Sequence, residues 1–243
     1  MRRKGPDGED VMDSETVTIT SGDAGTSGTS AGLQTDDVIN WTDLLHGLLI
    51  PSGNDAAAAI ARVIGTEIFD ETSTGTTGEE RFVEEMNALA TELGLSDTTF
   101  ASPNGFPSTD DESSARDLAI LAAAAFADPI IRAVANTASY GMTITGANAR
   151  TENISHTSRL LGFDGILAVK TGAEGSPGTF NNAVLWESPN GTEVVIITLQ
   201  STQSGDDRDL DVWGILLRIL RDFPYLCADV ERSRPGWWCR SCG

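Results

Sequence analysis

The order of hydrophobic spacings along the chain is the feature that most restricts its fold. Apolar residues recur at helical spacing through the first half, as in Trp41–Leu49, Glu79–Leu93 and Ser113–Ala127. After Tyr140 the spacing shortens toward that of β-strands, and a helical segment, Asp209–Phe223, closes the pattern. Helices grouped ahead of a sheet with a closing helix indicate an α+β fold rather than repeated βαβ units. We therefore expect an antiparallel sheet with flanking helices plus an α-helical lobe.

Composition and turn signals divide the chain into three parts. Residues 1–35 are polar and contain one short strand, residues 36–223 form the folded domain, and residues 224–243 are a C-terminal tail. Within the domain we expect a helical lobe at about 40–140, followed by the sheet and closing helix at about 141–223.

Local signals predict several element boundaries outside the candidate sites. The alternation in Glu15–Thr20 predicts a strand, and the turn-forming composition of Ser21–Gly32 predicts a loop. Gly65 is expected to end the second apolar helix, since glycine is common just after a helix.

A tight connection between two apolar helices is the first candidate site. Pro51 ends one helix, and Asp55 is expected to cap the next helix, Ala56–Ile64. This arrangement holds Ser52 and Asn54 rigidly at a surface. Ordinary turn and cap chemistry would explain the same two residues.

The second candidate site is Lys170-Thr171-Gly172, at the end of the predicted strand Ile166–Val169. Lys170 and Lys4 are the two lysines of the chain. An ammonium at a sheet edge can hold an anion, or move a proton once its pKa is lowered. Thr171 offers a hydroxyl, and Gly172 leaves room for a ligand along the edge. Neither triplet alone identifies a function.

The charge of the chain excludes some partners. Lys and Arg number 16 against 36 Asp and Glu, which gives a net charge of −20. This surface repels phosphate and anionic lipid headgroups, so we expect no nucleic-acid partner. An acid-rich, lysine-poor surface favours adaptation to high salt, while a compositional bias of the genome would produce the same residues.

Other sequence features give no indication of a metal, a cofactor or a membrane span. Cys227, Cys239 and Cys242 cluster near the C-terminus, where one C-x-x-C pair supplies at most half a zinc site. The longest apolar run, Leu118–Ala127, has ten residues, whereas a transmembrane helix needs about 20. The basic start, residues 1–4, is not followed by an apolar stretch, so we expect no signal peptide in this sequence.

Four ordered segments carry a family resemblance. They are Asp43–Ala57, Phe82–Phe106, Asp164–Gly172 and Arg208–Leu220. In this order and spacing the chain resembles the serine-type D-alanyl-D-alanine carboxypeptidases, which are the low-molecular-mass penicillin-binding proteins. The resemblance extends over about residues 15–223.

This resemblance implies a β-lactamase/transpeptidase-like fold and an acyl-transfer hydrolase without a cofactor. The implied activity is removal of the terminal D-alanine from peptidoglycan stem peptides, with β-lactams as further ligands. Ser52 would relay a proton to the leaving amine, and Asn54 would hold the acyl side of the peptide. Lys170 would tune the proton path, while Thr171 and Gly172 would bind the substrate, Thr171 at its terminal carboxylate.

One family motif has no counterpart in the sequence. The family uses a serine nucleophile with a lysine in S-x-x-K, but Leu167 precedes Lys170 by three positions and Met1 precedes Lys4 by three. The resemblance therefore implies a domain that is N-terminally incomplete and lacks the nucleophile. The alternatives are a non-catalytic relative that binds peptidoglycan peptides or penicillin, and an inactive gene fragment. The family works outside the cytoplasmic membrane.

Overall fold

The chain forms two compact units in a computed structural model. The first unit comprises the chain up to Asp117 together with Thr137–Thr157, and the second comprises Leu118–Asn136 together with the chain from Ser158 onward. The structure describes residues 12–68, 72–106, 110–174, 179–202 and 205–227. The predicted C-x-x-C pair and the basic start of the chain lie outside these described residues.

The first unit combines helices with two small antiparallel sheets, β1–β2 and β3–β4. Its elements are β1 (Thr16–Thr18), α1 (Ser21–Ala24), β2 (Val38–Asn40), α2 (Trp41–Leu49), α3 (Asn54–Glu67), α4 (Gly78–Glu92), β3 (Ser139–Ile144) and β4 (Arg150–Ser155).

Side-chain caps fix where the helices of this unit begin. The Asn40 side chain accepts a hydrogen bond from the Asp43 N–H at 2.7 Å and opens α2. Thr77 and Glu80 form a reciprocal capping box at the start of α4. Such caps satisfy backbone donors that a helix cannot pair internally, and each stabilises the helix by about 1 kcal/mol.

Two predicted boundaries in this unit are wrong. The loop predicted over Ser21–Gly32 contains the short helix α1, because Thr20 and Asp23 form a capping box there. The second apolar helix continues through Gly65 to Glu67 instead of ending at Ile64. A Cβ on Gly65 would lie 1.6 Å from the carbonyl oxygen of Gly78 in α4. Glycine is therefore present at this position for close helix packing, not for helix termination.

The second unit is an antiparallel three-stranded sheet with helices on both faces. Its strand order is β5–β6–β7 within the described residues. Its elements are α5 (Ala115–Ala127, whose first residues belong to the first unit), α6 (Pro129–Ala135), β5 (Ile166–Glu174), β6 (Thr179–Glu187), β7 (Glu193–Thr202) and α7 (Gly205–Asp222), followed by a 3₁₀ turn (Pro224–Cys227).

Alternating side chains give this sheet two buried faces. On one face Val169, Val184 and Ile196 pack with Val212 and Leu216 of α7. On the opposite face the sheet packs against α5 and α6, through Ala168, Leu185, Ala122, Phe126 and Ala135. Because each buried aliphatic side chain contributes about 1.5–3 kcal/mol, these two layers hold β5 firmly in register. The predicted helix–sheet–closing helix order, and with it the α+β fold class, is confirmed.

Two features concern membranes and metals. Among the described residues no single helix is long and apolar enough to cross a membrane; α5 and α6 together reach that length and hydropathy but meet at a 104° bend. Across the same part of the chain, no group of three or more His, Cys, Asp or Glu side chains is placed to hold a metal ion.

Candidate active site

The Ser52–Asn54 corner in the first unit is built by the end of α2 and the start of α3. The N–H of Gly53 donates to the carbonyl of Gly47 at 3.1 Å, which folds the chain back against α2. Ser52 has φ of 63°, in the left-handed region that a non-glycine residue rarely occupies. A strained residue of this kind costs about 1–3 kcal/mol and is found mostly at functional sites. The corner therefore holds the Ser52 hydroxyl in a fixed, half-buried position.

Asn54 is tied to a loop that precedes it by more than twenty residues. Its side-chain N–H donates to the carbonyl of Ser27 at 2.7 Å, and its backbone N–H donates to the carbonyl of Thr29 at 2.8 Å. Gly28 makes this approach possible, since a Cβ there would lie 2.4 Å from the Asn54 side-chain nitrogen. We name residues 27–33 the strap loop. The structure thus places one amide hydrogen of Asn54 on the strap loop.

Asp55 fixes the strap loop rather than capping α3. It is 1% exposed, and its carboxylate accepts hydrogen bonds from the backbone N–H groups of Ala31 at 2.8 Å and Leu33 at 3.1 Å, and from the Ser30 hydroxyl at 2.6 Å. The N-cap of α3 is Gly53, which provides no side-chain cap. The predicted capping role of Asp55 is therefore wrong. The sequence gives no sign of this contact, because its partners lie 22 to 25 positions away.

The second candidate site lies on β5, an edge strand of the sheet within the described residues of the second unit. The Lys170 ammonium donates to the carbonyl of Thr171 at 2.8 Å. Burial, and to a lesser extent the positive charge of Arg208, lowers the pKa of Lys170 to about 8. An ammonium with this pKa exchanges its proton near neutral pH, as a general acid or base must.

Thr171 lies on the side of β5 opposite to Lys170, and Gly172 lies on the same side as Lys170. Thr171 is buried and lies opposite Asn182 of β6, on the side of the sheet that carries α7. Gly172 lies opposite Asn181, and a Cβ there would come within 3.4 Å of the Asn181 side chain.

Arg208 is a site residue that the sequence analysis did not single out. It belongs to α7, is 6% exposed, and donates to the carbonyl of Gly172 at 3.3 Å. Its guanidinium carbon lies 5.8 Å from the centre of the Phe180 ring, and its Nε lies 3.7 Å from an Asp209 oxygen. The only sequence signal was its place at the start of the segment that resembles the family's closing helix. Two cations, Lys170 and Arg208, therefore lie beside the middle of β5. The predicted strand end at Val169 is wrong, because pairing with β6 continues to Glu174.

The structure brings the predicted residues together in two groups. Ser52 and Asn54 share the corner of the first unit, and Lys170, Thr171 and Gly172 share the edge strand of the second.

Comparison with known proteins identifies the class. Residues 7–201 match the model of the Peptidase S11 family, described as D-alanyl-D-alanine carboxypeptidase. The chain belongs to this family.

Individual relatives agree with this assignment. The chain is 30% identical over 190 residues to the D-alanyl-D-alanine carboxypeptidase of Streptomyces sp. strain K15, covering 76% of this chain and 62% of that protein. It is 36% identical over 99 residues to the D-alanyl-D-alanine carboxypeptidase DacF of Bacillus subtilis, covering 41% of this chain and 23% of the relative. The chain therefore spans less than two thirds of the length of these relatives.

The crystal structure of the Streptomyces K15 DD-transpeptidase has the same fold. It superposes with a TM-score of 0.72 at 28% identity, covering 84% of this chain and 78% of that structure. The predicted family and its transpeptidase-like α+β fold are confirmed.

Proposed function

We propose that this chain carries the substrate-binding and proton-transferring groups of a serine-type D-Ala-D-Ala carboxypeptidase. Its substrates would be peptidoglycan stem peptides, and its reaction the removal of their terminal D-alanine through an acyl-enzyme. The observation that carries the proposal is the pair of cations, Lys170 and Arg208, beside an edge strand in a member of this family.

The two cations would have different tasks because they differ in acidity. A guanidinium stays protonated at any physiological pH, so Arg208 would hold the terminal carboxylate of the peptide as a permanent charge. Thr171 would add a hydroxyl to this carboxylate site. Lys170, whose pKa is lowered to about 8, would tune the proton path. Ser52 would relay a proton to the leaving amine of D-alanine.

The Ser52–Asn54 corner would hold the acyl side of the peptide. A side-chain amide carries two N–H donors, and the strap loop receives one of those of Asn54. The second would donate to the acyl carbonyl of the substrate. The strained Ser52 backbone would keep the relay hydroxyl in place without reorganisation during the reaction.

Acyl transfer also needs a serine nucleophile with a base, and the 243-residue sequence has no S-x-x-K. This observation favours a second candidate function, in which the chain binds D-Ala-D-Ala peptides or β-lactams without turning them over. The relatives' cell-wall role supports a place outside the cytoplasmic membrane under either candidate.

Calorimetric titration with diacetyl-L-lysyl-D-alanyl-D-alanine tests the binding shared by both candidates. We expect saturable heat, with loss of binding in Lys170→Ala and Arg208→Ala. Arg132→Ala is the matched control, because Arg132 is a cation of the same unit that binds Glu193 at 2.7 Å on the exposed surface. The L-Ala-L-Ala peptide should give no heat. Equal heat from the native chain and both site variants would refute the proposal.

Turnover separates the two candidates. Release of free D-alanine, together with a mass increase of the intact chain after exposure to benzylpenicillin, would support the enzyme. Saturable binding without either product would support the binding module.

A further inference from the structure

Phe106 places an exposed aromatic ring beside the Ser52–Asn54 corner of the first unit. The ring is 47% exposed, and its Cδ2 lies 3.5 Å from the point where a Cβ on Gly28 of the strap loop would be. The side-chain nitrogen of Asn54 lies even closer to the same point. The ring edge and the amide nitrogen are therefore less than twice that distance apart. Gly28 allows this approach because it has no side chain to separate them.

Hydrogen bonds hold the loop that carries Phe106. The Phe106 N–H donates to the side-chain oxygen of Asn104 at 2.9 Å. Earlier in the same loop, the Asn87 side chain of α4 donates to the carbonyl of Phe100 at 2.8 Å and accepts from its N–H at 2.9 Å. The backbone that carries the ring is therefore fixed before a ligand binds, which lowers the entropic cost of binding.

The combination of this ring with a polar corner is what indicates a ligand. A single exposed phenylalanine is common on protein surfaces and needs no explanation. Ligand sites, however, typically combine an apolar or aromatic surface with a few fixed polar groups that orient the ligand. Here Phe106 supplies the apolar surface, and Asn54, which is tied to the strap loop at 2.7 Å, supplies a fixed amide.

We propose that Phe106 is a specificity-determining residue that contacts the side chain of the substrate residue preceding D-Ala-D-Ala. This role rests on the proposed function, in which Asn54 donates to a carbonyl on the acyl side of the peptide. The ring would favour a long aliphatic side chain at that position over the methyl group of alanine.

The dimensions of a peptide fit this role. A carbonyl that accepts from Asn54 lies about 2.9 Å from the amide nitrogen, and neighbouring Cα atoms of a peptide are about 3.8 Å apart. The side chain of the residue before D-Ala-D-Ala therefore begins within a few ångströms of the Phe106 ring. A chain of several methylenes can lie along the ring at van der Waals distance, about 3.5–4.0 Å, whereas a methyl group offers little surface to cover.

The openness of the ring limits the size of the preference. Because one face of an alkyl chain would stay in water, only part of its surface is buried against Phe106. Burial of the equivalent of about two methylenes corresponds to about a tenfold difference in Kd. We therefore expect a preference of about tenfold for the long side chain.

Calorimetric titration with two peptides tests this role. Diacetyl-L-lysyl-D-alanyl-D-alanine has a long uncharged side chain at the position in question, and acetyl-L-alanyl-D-alanyl-D-alanine has a methyl group. The native chain should bind the first peptide about tenfold more tightly. Phe106→Ala should bind both peptides equally, with an unchanged Kd for the alanyl peptide. Phe106→Leu should keep most of the preference, because leucine restores an apolar surface.

A matched control separates the ring from a general loss of apolar surface. Leu89 of α4 belongs to the same unit and is also 47% exposed, so Leu89→Ala should keep the native preference. Circular dichroism and urea denaturation should show that Phe106→Ala folds as the native chain does.

The outcomes distinguish this role from the proposed function. A native chain that binds the two peptides equally would overturn the role of Phe106 and leave the proposed function intact. A Phe106→Ala variant that keeps the preference, or that loses affinity for both peptides to the same extent, would do the same. A native chain that binds neither peptide would refute the proposed function and this role with it.

Discussion

Removal of the Lys170 charge should change the free energy of unfolding by an amount that follows from the burial of this side chain. The ordinary lysine pKa of 10.5 is lowered by burial to about 8 in the folded protein. Each pH unit between these values corresponds to about 1.4 kcal/mol. The folded state therefore carries a penalty of about 3 kcal/mol for holding Lys170 protonated, and Lys170→Met should remove it.

The sign of the pH dependence follows from which state binds the proton. Below about pH 8, Lys170 is protonated in both states, and the full penalty destabilises the folded native protein. Between about pH 8 and pH 10.5 the unfolded chain keeps its proton while the folded protein loses it, so the native protein gains stability as pH rises. The Met variant lacks this dependence. Its advantage should be about 2–3 kcal/mol near pH 7, after allowing about 1 kcal/mol for the lost bond to the Thr171 carbonyl. By about pH 10.5 the advantage should have reversed to a small deficit, because only the lost bond then distinguishes the two proteins.

Urea denaturation of both proteins from about pH 7 to pH 10.5 measures this difference. Because both proteins contain the same other titrating groups, the contributions of those groups cancel in the difference between the two free energies of unfolding. Arg132→Met serves as the control, because a guanidinium does not titrate in this range and the difference should stay constant. If the free energies of unfolding of Lys170→Met and the native protein differ by an amount that does not change with pH, the inference that burial lowers the pKa of Lys170 would be refuted.

Three further changes probe the first unit and the helix packing. Asp55→Asn should cost about 2–5 kcal/mol in urea denaturation, because an amide group would face strap-loop N–H donors that now bind a carboxylate; an unchanged midpoint would contradict this. Tyr140→Phe should be less stable than the native protein below about pH 10. Burial raises the pKa of Tyr140 to about 12, so the stability from its protonated hydroxyl is lost between about pH 10 and pH 12, and the deficit of the variant should disappear there. A deficit that does not change with pH would be the contrary result. Gly65→Ala should lower the free energy of unfolding by about 3 kcal/mol, because its Cβ would overlap with Gly78. The exposed control Gly214→Ala should leave the free energy of unfolding unchanged or raise it by up to about 1 kcal/mol. Equal effects of the two substitutions would argue against close packing at Gly65.

The parts of the fold that the sequence predicted well depend on neighbouring residues. The extent of α2 follows from the apolar spacing of Trp41–Leu49 and from Pro51, and both signals lie within one segment. Local propensity and pattern agree with the final structure at these positions, so the sequence was sufficient.

The predictions that failed involve contacts between distant residues. Asp55 sits one residue inside α3, where a carboxylate at the first turn is typical of a cap. Its actual partners, Ala31 and Leu33, are backbone groups of the strap loop, and a backbone N–H has no sequence signature. Gly65 similarly resembles a helix end, and only the approach of Gly78 in α4 explains why it lies inside the helix.

The candidate site depends both on signals within short segments of the sequence and on contacts between distant residues. Its serine, asparagine and lysine were singled out from a tight helix connection and an apolar strand, and the family resemblance implied their roles. The lowered pKa of Lys170 could not be read from the triplet, because it results from burial and from Arg208, a residue 38 positions further along the sequence. Chemistry at this part of β5 therefore depends on how α7 packs against the sheet.

Under the proposed function, the acidic surface and the two cations beside β5 would act on the same anionic ligand with opposite signs. A net charge of −20 repels a peptide carboxylate at a distance, while Lys170 and Arg208 would attract it in contact. The repulsion crosses solvent and is largely screened beyond about 10 Å at 0.1 M salt, whereas charges in a buried site are screened much less. Salt therefore removes more of the unfavourable interaction than of the favourable one. The high-salt hypothesis for the surface and the carboxylate-binding proposal for the site support each other for this physical reason.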